Sequence, residues 1–264
     1  MSLPAAPSAL PYEAELATPV GRAKELVKRA LALTARPGDT LLRVATREPA
    51  IALTFDDGPD PVETPAVLEL LERHGARGTF FMVGERAAAH PGLLSRVAAG
   101  GHAVANHSWD HPSFRRIGSA ARAEQLRRGA AALAPYGVPL FRPPFGEQSV
   151  ASLRDARRAG MQVVAWDVVA EDWRDAPAER VVERVLRRLR RGSIVVFHDA
   201  LYVTEDPRYR DRAPMRQALD ELLAQLSPAF RFVTIPELLA LGRPVWGHHY
   251  HRLPASFHAG LAHL

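Results

Sequence analysis

The chain has 264 residues, 47% of them hydrophobic and 24% charged, with no cysteine and a formal charge of +5. That length and apolar fraction suffice for one large domain with a full core, and the missing cysteine excludes disulfides and thiolate metal sites, so any metal must be held by His, Asp or Glu. The charge is carried almost wholly by arginine, the lysines being Lys24 and Lys28, which reads as compositional bias rather than a dedicated anionic-partner surface.

The first 21 residues lack a charged leader followed by an apolar core, and no apolar run reaches the length of a membrane span. The expectation is a soluble, monomeric chain with no secretion signal as written. A trimmed sequence would read the same way, so its location stays open. Thr18-Pro19 can cap and open a helix whose apolar positions Ala23, Leu26, Val27, Ala30 and Leu31 fall at helical spacing.

After it the chain alternates strand and helix signals. Strand-like apolar runs lie at 51–55, 79–83, 102–106, 139–143, 161–168, 193–198 and 230–235. Helical patterns separate them, among them Pro65–Gly75, with Gly75 as C-cap, and Pro177–Gly192. Alternating strands and helices predict a parallel sheet, open or closed into a barrel. The run of Arg187, Arg188, Arg190 and Arg191 follows a helical pattern without interleaved aromatics, and predicts a solvated helix face rather than a nucleic-acid surface.

The first strand ends in an unusual way. In IALTFDDGP, Ile51 to Pro59, two adjacent carboxylates sit at the tip of an apolar strand, where leaving water raises the cost of each charge. In isolation DDGP would be an ordinary turn capping the next helix. Here a positive partner is available, because NHSWDHP places His107 and His111 four residues apart after the third strand. On a short helical turn the two imidazoles would face the same side and, with one carboxylate, form a triad with open positions for zinc, iron or another divalent metal. Neighbouring side chains diverge, so one aspartate can ligate while the other faces a water. Arg142 ends the fourth strand, Asp167 lies late in the fifth and His198 ends the sixth. C-terminal strand ends form one face in parallel α/β folds, so these residues are expected to converge.

Five motifs in order, TFDDGP, HSWDHP, RPPFG, WDVVAEDW and VVFHD, resemble the polysaccharide deacetylases, carbohydrate esterase family 4, also called the nodulation-protein-B homology domain. The resemblance covers about Pro49 to Leu241. It implies an α/β fold, a distorted (β/α)7 barrel, here with an N-terminal helical extension over residues 1–48, a catalytic unit over 49–241 and a His-rich C-terminal segment over 242–264. It implies a metal-dependent amide hydrolase that removes acetyl groups from N-acetylated sugars, with one divalent ion, zinc foremost, and an N-acetylated carbohydrate as partner.

By the same resemblance Asp57, His107 and His111 are the metal ligands, Asp56 the catalytic base and His198 the acid. Arg142 orients Asp56, and the Phe145 backbone N–H stabilises the oxyanion. Trp173 and Val196 are the expected contacts to the acetyl methyl. Val169 stands where many relatives carry an Asp that supports the catalytic His, and Asp167 or Asp172 is the candidate replacement. A small-molecule amidase or deformylase, or a degenerate metal- and carbohydrate-binding protein, are the alternative readings. His248, His249 and His251 are expected to be exposed on a C-terminal tail, without a nearby carboxylate to make a second metal site.

Overall fold

The computed structural model describes residues 39–174, 177–204 and 207–249. The N-terminal helix expected around Ala23–Leu31 and the tail histidine His251 lie outside them. The elements are β1 (Thr40–Ala45), β2 (Ala50–Asp56), α1 (Glu63–Arg73), β3 (Gly78–Met82), α2 (Gly84–Ala89), α3 (Pro91–Ala99), β4 (Ala103–Asn106), α4 (Ser119–Leu133) and β5 (Gly137–Phe141). They continue with α5 (Val150–Arg158), β6 (Gln162–Val163), β7 (Val168–Val169), α6 (Ala178–Leu186), β8 (Ile194–His198), α7 (Ala213–Leu226), β9 (Arg231–Phe232), α8 (Ile235–Ala240) and β10 (Arg243–Gly247).

Seven strands form one curled parallel path in the order β6-β5-β4-β3-β2-β8-β7, and β9 pairs with the start of β2. This is the α/β barrel-like architecture that the alternation and the motifs predict. The central strand β2 is buried along its whole length, because helices cover one face and the barrel interior the other. Its side chains alternate between two environments. Ile51, Leu53 and Phe55 join the outer core with Leu71 of α1, Leu219 and Leu222 of α7 and Phe197 of β8. Phe55 stacks on Phe80 at 4.9 Å and on Phe197 at 6.1 Å. Ala50 and Ala52 instead line the interior with Leu41, Phe81, Ala105 and Ile194, and the same face carries Thr54 and Asp56 into the barrel. Each buried Leu, Val or Phe contributes about 1.5–3 kcal/mol relative to exposure, so this two-sided packing fixes the register that aims Asp56 inward.

The apolar run at 161–168 is not one strand. It divides into β6 and β7, which lie at opposite ends of the parallel path. Between them Val164 N–H bonds to Phe141 O at 2.9 Å and Asp167 N–H bonds to Ile194 O at 3.2 Å, so the chain crosses the barrel seam there. β1 fills that seam. Leu41 bridges to Val164, its carbonyl accepts from Ala165 N–H at 2.8 Å, and Val44 N–H reaches Gly192 O at 2.9 Å.

β1 itself pairs antiparallel with β10, Thr40 lying opposite Gly247. The folded unit therefore runs outward from the 49–241 span in both directions. TLLRVA and RPVWG each gave too short a signal alone, and their pairing joins segments about two hundred residues apart. The second expected helix is also shorter than its pattern: α6 ends at Leu186, and Gly192 serves instead as a left-handed turn (φ 78°) into β8.

Candidate active site

Strand register assembles the site. Asp56 at the end of β2 lies opposite His198 on β8 and Phe81 on β3, and Asn106 at the end of β4 lies opposite Met82 and Phe141. The residues after these strand ends therefore meet on one face.

Asp57, His107 and His111 are all buried, and their ligand atoms lie within 4.8 Å of one another. Asp57 Oδ1 is 3.3 Å from His107 Nε2 and 3.0 Å from His111 Nε2. The histidines do not reach this arrangement on a helical turn, as their spacing predicts. Ser108 and His111 take left-handed backbone conformations, φ 72° and 58°, and His111 N–H donates to Ser108 Oγ at 3.0 Å. Asn106 Oδ1 pins the loop by accepting from Ser108 N–H at 2.8 Å. Asp57 is itself left-handed, φ 75°. A branched or charged residue held there costs about 1–3 kcal/mol, sustained by surrounding structure. One support is Gly58, where an added Cβ would stand 2.3 Å from Asp199 Oδ2, so only glycine permits this close approach.

The donor set fits a divalent cation. His107 Nδ1 faces the Arg142 carbonyl at 2.8 Å, and since a carbonyl only accepts, Nδ1 carries the proton. That leaves Nε2, which faces the carboxylate oxygen, as the nitrogen able to ligate a shared cation. Burial holds the His111 imidazole below its usual pKa, against the pull of Asp57, which favours the neutral ligand form. Burial would raise the Asp57 carboxyl, but His111 and His107 outweigh it and keep it well below the usual carboxylate range.

Asp56 is held apart from this triad. Its Oδ1 accepts from Arg142 Nη1 at 2.6 Å, and Thr54 Oγ1 accepts from the same nitrogen at 2.7 Å. The Arg142 side chain is fully buried, its Nη2 donates to Ala165 O at 2.9 Å, and its guanidinium lies 4.0 Å over the Phe81 ring. Burial lowers the Arg142 pKa and the Asp56 charge opposes that fall.

On the other side of Asp56, His198 Nδ1 is 3.0 Å from Asp172 Oδ1, and His198 N–H donates to Asp172 Oδ2 at 2.9 Å. Arg212, at the N-terminus of α7, binds the same carboxylate with Nη2 and reaches Asp172 O through Nη1 at 2.8 Å and His198 O through Nη2 at 2.9 Å. Burial disfavours the charged imidazole, yet the Asp172 carboxylate prevails and pushes His198 up to about 9, with Asp57 and Asp56 adding to it. Burial likewise works against the Asp172 charge, which His198 and Arg212 restore, leaving that carboxyl below its ordinary value.

A family model described as polysaccharide deacetylase matches residues 43–164. The chitooligosaccharide deacetylase of Sinorhizobium fredii is 36% identical over 181 residues, 66% of this chain and 84% of that protein. The chain belongs to the polysaccharide deacetylase family. The peptidoglycan-N-acetylglucosamine deacetylase PgdA of Listeria monocytogenes is 35% identical over 192 residues, and the match spans 71% of this chain but only 38% of the Listeria protein. Among solved structures, the Bc1960 peptidoglycan N-acetylglucosamine deacetylase superposes with a TM-score of 0.67 at 29% identity, covering 75% of this chain and 91% of that one.

Within this polysaccharide deacetylase fold, three further residues singled out from the sequence lie close to His198 or His111. Trp173 meets the His198 ring edge-on at 5.1 Å. Val196 lies two residues before His198 on the same strand face and is buried. Phe145 sits left-handed at φ 58° with its ring 4.5 Å from that of His111.

Asp167 does not join the site. Its carboxylate binds Ile194 N–H at 2.9 Å, Ser193 Oγ at 3.1 Å and Arg190 Nε at 3.2 Å, at the opposite end of β8 from His198. The break in the 161–168 run carries it there, and of the two candidate carboxylates Asp172 is the one that contacts His198.

The C-terminal histidines also depart from the expectation of an exposed tail. His248 Nδ1 lies 3.8 Å from Asp39 Oδ2, and the His249 ring packs edge-on to Trp166 at 5.0 Å. Both are half-buried by the pairing of β10 with β1. Arg212, Arg86 and Tyr202 are the site residues that the sequence reading missed. They belong to no strand-end motif, and nothing in their local sequence marks them.

Proposed function

We propose that this chain is a metal-dependent N-deacetylase that removes acetyl groups from N-acetylated sugars, of the peptidoglycan or chitooligosaccharide kind on which its named relatives act. The observation that carries this reading is the convergence on one barrel face of a buried Asp-His-His triad, a second carboxylate clamped by arginine and an imidazole clamped by a carboxylate. Asp57, His107 and His111 would hold one divalent ion, and the oxygen and nitrogen donors suit zinc. When bound, such an ion supplies Lewis acidity toward the acetamide carbonyl and lowers the pKa of water.

The protein's own groups then divide the proton transfers. Asp56, oriented by Arg142, takes a proton from the attacking water. His198, charged below about pH 9 through Asp172, gives a proton to the departing amine nitrogen. The Phe145 backbone N–H is the proposed donor to the developing oxyanion. Trp173, edge-on to His198, is suited to wall the pocket for the small acyl methyl, with Val196 beneath the same strand face.

Asp172 also bears on the degenerate-protein reading, which rested on the missing carboxylate at position 169. The catalytic His has its charged partner from another position, which supports turnover. Acetate release from chitooligosaccharides and from peptidoglycan, measured on metal-stripped and zinc-reconstituted protein, tests the proposal. Zinc-dependent release from either substrate is expected; no release from both, with zinc bound at full stoichiometry, would reject it.

A further inference from the structure

The two histidines of the triad are held differently. A ligating imidazole is ordinarily oriented by a hydrogen bond from its second ring nitrogen. His107 has one, to the Arg142 carbonyl at 2.8 Å. His111 Nδ1 is buried and meets no hydrogen-bonding group among the described residues. Its ring is held by aromatic surfaces instead: Phe145 edge-on at 4.5 Å and 72°, and Tyr202 nearly face to face at 4.9 Å and 29°.

Tyr202 also touches a second member of the triad. Its backbone N–H donates to Asp57 Oδ2 at 2.9 Å, which leaves Oδ1 to face the two imidazoles. The tyrosine is anchored in turn from α2. Its hydroxyl donates to the Glu85 carboxylate, and the Arg86 guanidinium lies 5.0 Å over its ring. Arg86 ties the same pieces together by donating to Asp57 O at 3.0 Å and to Leu201 O at 3.3 Å.

We infer that Tyr202 is a positioning residue for the metal centre, orienting His111 through its ring and Asp57 through its backbone N–H. This rests on the metal-site reading above. Removing the ring leaves His111 with neither a hydrogen bond at Nδ1 nor a stacking surface on that side, so the imidazole gains rotational freedom that metal binding must then remove. Tyr202→Ala should weaken metal affinity by about 10- to 100-fold, the range found for lost outer partners of ligands. Tyr202→Phe keeps the ring and the N–H and loses only the link to Glu85, so its affinity should stay near that of the unmodified protein.

The test is a zinc titration of metal-free protein against a chromophoric chelator, with the metal-free Tm recorded for each variant. Tyr202→Leu is included because it fills the same space without an aromatic face. The inference predicts weakened affinity in the Ala and Leu variants, retained affinity in the Phe variant, and metal-free Tm values close to the unmodified protein for Leu and Phe. Leu and Ala variants that bind zinc as tightly as the unmodified protein would overturn it. An unmodified protein that binds zinc no better than His111→Ala would overturn the metal-site reading instead.

Discussion

The two ends of the barrel solve the same backbone problem differently. At the N-terminal ends of the strands, the helix-to-strand turns use glycine wherever the backbone turns left-handed: Gly75 before β3, Gly101 before β4, Gly160 before β6 and Gly192 before β8. At the C-terminal ends the left-handed positions fall on Asp57, Ser108, His111, Phe145 and Glu171, with Gly146 the exception. Glycine adopts this conformation without steric penalty, whereas other L-residues lose roughly 1–2 kcal/mol there. One end is built for cheap turns. The other holds mostly polar side chains in conformations they would not choose, and there the Asp-His-His triad meets Asp56 and His198, the proposed base and acid. Stability and function are thus separated along the strand axis.

Substitutions at the two ends should therefore fail in different ways. The largest effect belongs to His107→Ala, which should abolish zinc retention and acetate release together while leaving the folded barrel intact by circular dichroism. Next comes His198, the proposed acid. His198 is raised to about 9, so its protonated form persists below that pH and kcat/KM should fall as pH rises through it. The same sign governs stability, since the His198–Asp172 interaction contributes fully below the unfolded histidine pKa and is lost as pH rises through about 9.

Asp172→Asn removes the charge that raises His198 and should move the alkaline limb down by about 1–3 units. Val169→Asp places a second carboxylate near the one already in place and should lower activity. A limb that stays fixed in Asp172→Asn would dissociate Asp172 from His198.

The smallest effects lie at the glycine end and should spare catalysis. Gly75→Ala has open space around the new Cβ and meets only the left-handed penalty, so Tm should fall by about 2–8 °C with kcat/KM unchanged. Gly192→Ala should lose more, because its Cβ would lie 1.7 Å from Val44 O and force β1 to shift. A larger Tm loss at Gly75 than at Gly192 would contradict this ranking.

This division also explains what was legible in the sequence. Glycine at a turn is a direct signal, and Gly75 duly closes α1. Continuous apolar runs and the order of the motifs were enough to place most of the parallel strands and the triad. The left-handed loop of His107 to His111 was not legible, because Ser and His carry no mark of that conformation and four-residue spacing suggests a helix. Asp167 was misplaced for a related reason: MQVVAWDV reads as one continuous strand, and only the insertion of β1 at the seam makes the chain change sides. Arg212 and Tyr202 act from segments outside the motifs, and β1 with β10 depends on a pairing across nearly the whole domain.

The adjacent aspartates, one clamped to arginine and the other facing two imidazoles, should do separate work. Metal content and acetate release, measured side by side on Asp56→Asn and Asp57→Asn, separate their roles. Asp56→Asn should retain zinc but lose about 10²–10⁴-fold in kcat, because an amide cannot take the water proton, and Asp57→Asn should lose the zinc itself. Equal zinc loss in both variants, or near-normal turnover in Asp56→Asn, would contradict this separation.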